Sequence, residues 1–162
     1  MGTDYATSVE QVHRALGDRQ YWLARLAGSG ADEAHLERMD VASDGSIDVV
    51  TTQVLRSDRL PGVVSQFHRG DLAIRREEMW TPVRDSRSRA AVAGSIAGAP
   101  VSLTGNAVLM PSEAFSRLDL QATVEVRIPL VGRKLEKFIG NQLIELLIAE
   151  QRFTTRWIAE NH

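Results

Sequence analysis

The chain has no cysteine among its 162 residues. That excludes disulfides, thiolate nucleophiles and every Cys-ligated zinc or iron–sulfur centre, and it suits a reducing cytoplasm. Proline is scarce, with five residues. No Pro/Ser/Gly-rich stretch is long enough to act as a linker, so residues 1–162 are expected to form one domain. An excess of either charge is also missing: 19 basic and 21 acidic side chains give a formal net charge of −2. Interspersed in this way, they offer no electrostatic footprint for nucleic acid and no polybasic arm for an anionic membrane. Long hydrophobic runs are absent too. The most apolar one, Leu143 to Ala149, is broken by Glu145 and is far shorter than the roughly 20 residues that cross a bilayer. The opening MGTDYATSVEQ has neither the basic nor the apolar region of a signal peptide.

Catalytic and metal-binding patterns are equally thin. His13, His35, His68 and His162 are far apart, with no paired spacing, so no metal and no cofactor is expected. There is no G-x-S-x-G elbow, and the glycine-rich stretch from Gly94 to Gly105 lacks the order of a phosphate loop.

What is present is periodicity. Thr3 to Thr7 can open with a short strand, and Ser8 followed by Gln11 reads as a capping box before Val9, Val12 and Leu16. A second short helix carries Tyr21, Trp22, Leu23 and Leu26 before Gly28-Ser29-Gly30 ends it. The period then changes to that of strands. Ala34 to Val41 and Ile47 to Leu55 flank the turn signal Asp44-Gly45, and Leu72–Val83, Ala90–Ile96 and Val101–Met110 follow. One helical turn is expected at Val63 to Phe67. The cleanest alternation runs from Leu118 to Ile128, with apolar residues at every even position, as in an antiparallel strand with one dry face. Beyond Pro129, residues Arg133 to Glu160 place Leu135, Ile139, Leu143, Leu146, Leu147, Trp157 and Ile158 near the 3.6-residue period of one helical face.

A meander with one dry face needs a cover, and only the terminal helix is long and apolar enough to supply it. The expected fold class is α+β. A curved antiparallel sheet of about six to seven strands grips a long C-terminal helix, with two short helices after the first strand. In element order, and in the segment Arg127-Ile128-Pro129-Leu130-Val131-Gly132-Arg133-Lys134-Leu135-Glu136, the chain resembles the START-like (polyketide-cyclase, birch-pollen-allergen) superfamily. It looks most like an actinobacterial domain-of-unknown-function family within it, a likeness to which the tail Ala149-Glu150-Gln151-Arg152-Phe153-Thr154 adds. The resemblance implies a cavity between sheet and helix and leaves the activity open, because the fold serves carriers, receptors and cyclases alike.

Seven residues are candidates for lining that cavity. Alternation puts Arg76, Glu78 and Trp80 on one face of their strand, with Leu72 and Ile74, and Arg75, Glu77 and Met79 on the other. If the first face is inward, Arg76 and Glu78 are buried charges that must be paired. Charge patterning alone favours a cross-strand salt-bridge ladder on the solvent face, and Arg38 and Asp40 pose the same choice. Leu143 and Leu146 would face the sheet from the helix. Phe67 ends the short turn and His68 follows it, in a loop that overhangs the cavity mouth in the superfamily. The small residues Ala90, Ala91, Ala93, Gly94, Ala97 and Gly98 suit a bent sheet or leave room for a ligand. The expected partner is thus a small hydrophobic molecule, lipid or polyketide-like. The alternatives are a protein-interaction domain with a filled core, including a homodimer, and a cyclase or dehydratase using Arg76, Glu78 or His68.

Overall fold

The computed structural model describes residues 1–60, 62–65 and 70–161. Phe67 and His68 lie outside the described residues. Seven strands form one antiparallel sheet: β1 (Gly2–Tyr5), β2 (Glu33–Val41), β3 (Ile47–Leu55), β4 (Leu72–Trp80), β5 (Ser88–Ile96), β6 (Val101–Ser112) and β7 (Phe115–Val126). Their order across the sheet is β1-β7-β6-β5-β4-β3-β2, an open meander in which β1 pairs back onto β7. Helices α1 (Val9–Leu16) and α2 (Arg19–Ala27) follow β1, and α3 (Gly62–Ser65) is a single turn. The chain closes with α4 (Gly132–Glu160), 29 residues long, or about 43 Å at 1.5 Å per residue. This is the helix-grip arrangement expected from the pattern. No helix among the described residues is long and apolar enough to cross a membrane.

Local chemistry accounts for the boundaries. The Ser8 side chain accepts from the Gln11 backbone N–H and the Gln11 side chain accepts from the Ser8 N–H, so two of the orphan donors of α1 are satisfied. The Trp22 indole donates to the Leu16 carbonyl at 2.7 Å, pinning α2 to the end of α1. β4 stops at Trp80 rather than continuing to Val83, because Pro82 has no N–H for the ladder. Thr81 N–H still donates to the Arg89 carbonyl, but the Arg89 N–H donates to the Thr81 hydroxyl. The passage from β7 to α4 depends on a close approach. Gly132 donates to the Ile128 carbonyl, and a Cβ at residue 132 would stand 2.6 Å from the Val126 carbonyl oxygen. Glu136 reaches back to accept from Val126 N–H at 3.1 Å.

The inner face of the sheet is not uniformly packed. At one end Tyr5, Val9, Val12, Leu16, Tyr21, Trp22, Leu109 and Ile158 form the buried core. Tyr21 stacks edge-on to Trp157 and Trp22, both at 5.4 Å. Towards the other end, no residue of α4 between Glu136 and Phe153 is fully buried.

Candidate functional site

Cross-strand register explains that second region. The row Trp80–Ala90–Ala107–Leu120 runs inward-facing across four strands, and the next is Glu78–Val92–Gly105–Ala122. A third is Arg76–Gly94–Leu103–Val124. Alanine and glycine recur where the floor lies beneath α4, so this part of the sheet leaves a gap below the helix, which Arg76 spans to reach Glu150. Ile139, Leu143, Leu146 and Leu147 roof the space from α4, and a cavity of about 240 Å³ lies between. Gly94 adds to it without need of its backbone freedom, since a Cβ there would meet nothing closer than 3.5 Å. The small residues of β5 thus divide by face: Ala90 and Gly94 point under the helix, while Ala91 and Ala93 point outward.

At one end of the apolar wall stand Arg76 and Glu78, joined by Arg25 and Glu150 in a cluster of four charged side chains. Glu150 of α4 accepts from Arg76 Nη2 at 2.7 Å and from Arg25 Nε at 3.0 Å, and is also bridged by Arg25 Nη2. Arg76 Nε stands 3.6 Å from Glu78 Oε1, and Arg25 Nη2 stands 3.8 Å from the same oxygen. Glu78 Oε2 accepts from the Trp80 indole at 3.4 Å. Arg25 lies over the Trp22 ring at 4.7 Å and donates to the Tyr21 hydroxyl at 3.3 Å. That hydroxyl shares a 2.6 Å hydrogen bond with Thr154, which in turn donates to the Glu150 carbonyl. One helix, one strand and α4 are therefore joined through a single carboxylate.

The electrostatics follow from this pairing. Burial alone would raise the Glu150 carboxyl, but the charges of Arg25 and Arg76 outweigh it and hold it at about 2. Burial works against the charged form of both arginines, and Glu150 more than compensates, raising each above its ordinary value. Tyr5, beside this cluster, is raised by burial first and by its neighbour Tyr21 second.

Arg76, Glu78, Trp80, Leu143 and Leu146 all contribute to the cavity wall. The inward face of β4 is the one with Arg76 and Glu78, against the preference from charge patterning. The ladder expected on the solvent side exists as well, built from other residues: Arg38 pairs with Asp48 at 2.9 Å, Glu77 at 2.8 Å and Asp40 at 3.4 Å. Arg25 and Glu150 were not singled out in the sequence. Their signal was there: Arg25 lies four residues from Tyr21 and three from Trp22, and Glu150 lies three or four from Leu146, Leu147, Phe153 and Thr154. Each is a charge on an apolar helical stripe. No cluster of three or more metal-ligating side chains occurs among the described residues.

The family model described as "Protein of unknown function (DUF2505)" matches residues 1–158, and the chain belongs to that family. It is 53% identical over 167 residues to the uncharacterized proteins Rv0481c of Mycobacterium tuberculosis and Mb0491c of Mycobacterium bovis. Those alignments cover 99% of this chain and 96% of each relative. Among solved structures, TTHA0849 of Thermus thermophilus aligns with a TM-score of 0.61 at 15% identity, over 100% of this chain and 97% of that one. A conserved protein from Geobacillus kaustophilus gives 0.56 at 13%, over 99% and 94%. At such identities the likeness is one of fold.

Proposed function

We propose that this DUF2505 protein binds and carries a small hydrophobic molecule between its sheet and α4, as a single START-like helix-grip domain working in the cytoplasm. The observation that supports this most is the cavity of about 240 Å³, walled by aliphatic side chains from both β-strands and helix. Its size suits an organic molecule, not a few waters, and pockets of this apolar character with a few convergent polar groups are the usual setting for ligands. A filled-core interaction domain would have no use for the alanine and glycine floor.

Native mass spectrometry of the purified protein, with organic extraction of whatever accompanies it, tests the proposal. A retained lipid or aromatic molecule is the expected result. An apo mass combined with no thermal shift across a panel of hydrophobic compounds would remove the carrier reading.

A further inference from the structure

The polar end of the cavity has a specific residual capacity for hydrogen bonds. Two guanidinium groups, Arg25 and Arg76, face two carboxylates, Glu78 and Glu150, so the cluster is balanced in charge. Within that balance, one donor and one acceptor are left over. Arg76 Nε is buried and has no hydrogen-bond partner. Among the described residues, Glu78 Oε1, 3.6 Å away, meets the two arginines at ion-pair distances beyond hydrogen bonding. Both residues belong to the cavity wall. A buried donor left unmade is costly, so a ligand that satisfies it gains selectively.

Resting on the carrier reading above, we infer that the ligand is an uncharged, largely apolar molecule with a hydroxyl head, which accepts from Arg76 Nε–H and donates to Glu78 Oε1. A hydroxyl is the smallest group that does both. A ketone satisfies only the arginine. A carboxylate also satisfies only the arginine, stands against the like charge of Glu78, and adds an unbalanced negative charge to a neutral, buried cluster. Arg76 Nε is closed to solvent, so the hydroxyl enters as the Glu78 carboxylate turns aside, giving up the 3.4 Å contact of its Oε2 with the Trp80 indole for the new bond at Oε1. The other polar wall residues of note, Gln53 and Gln142, are neutral amides and bring no charge to favour an acid.

The test is displacement of the neutral probe 1-aminoanthracene from the full chain by three ligands of one length: decanol, decanone and decanoate. Decanol is expected to displace the probe at about tenfold lower concentration than either of the others. Glu78→Gln, which deletes the acceptor charge, is expected to abolish the advantage of decanol over decanoate. If decanoate or decanone matches decanol on the wild-type protein, the inference falls and the carrier reading stands. If neither the probe nor any of the three binds, the carrier reading falls and the inference with it. The wild-type series decides even where Glu78→Gln fails to fold.

Discussion

The two halves of α4 experience different surroundings although they form one continuous helix. From Phe153 onward it is clamped: Thr154 and Ile158 are buried, Ile158 to 1% exposure, among Val12, Tyr21 and Trp22. From Ile139 to Leu147 the apolar stripe is just as regular, yet it is only half-buried and roofs a cavity. The helix supplies leucine and isoleucine at both ends. What differs is the opposing surface: aromatic rings and two short helices at one end, alanine and glycine of β5, β6 and β7 at the other. The difference teaches that an amphipathic period reports which face a helix presents, while the partner's side-chain volumes decide whether that face is packed.

That contrast can be broken in several ways. The largest effect belongs at the junction of the halves, where Glu150 holds Arg25 and Arg76. Glu150→Ala should cost about 3–5 kcal/mol in urea unfolding, because it leaves two buried arginines short of a partner. Next comes a paired truncation along α4. Ile158→Ala should cost about 2–5 kcal/mol, and Leu143→Ala less than about 1, since Leu143 already borders open space. Equal costs at the two positions would mean that the halves are packed alike.

Acid supplies a third effect, whose sign follows from the position of Glu150. Its carboxyl is at about 2 in the fold, against an ordinary 4.5, so the unfolded chain takes up the proton first. The stabilisation is complete above about pH 4.5 and is lost as pH falls from there towards 2, on the order of 3 kcal/mol in all. Glu150→Gln should flatten that part of the stability–pH curve. The smallest effect is Gly94→Ala. A methyl fits there in ordinary contact, and alanine is better than glycine within a strand, so stability should rise by about 0.5–1 kcal/mol.

Much of the fold was legible because its determinants are local. The even-numbered apolar residues of β7, Leu118 to Val126, face inward as their alternation implies, with Ile128 falling beyond the strand's end. The capping box at Ser8 and Gln11 and the turn at Asp44-Gly45 also mark the starts of elements as read. The cavity was legible only in part, because it depends on register between strands. Nothing local tells that Gly105 lies between Val92 and Ala122, or that the inward face of β4 is the one with Arg76. The charge cluster joins residues 25, 76, 78 and 150, which only the tertiary fold brings together. Charge patterning along one strand could not weigh partners supplied by α2 and α4.

The most direct measurement titrates 1-aminoanthracene into the wild-type protein and into Leu143→Trp, with thermal unfolding recorded for both. Leu143 roofs the cavity, so an indole there should occupy the ligand's space with little strain elsewhere. Saturable binding by the wild type, lost in Leu143→Trp at an unchanged melting temperature, is the predicted result. Equal binding by the two proteins would place the ligand outside the cavity and contradict the account.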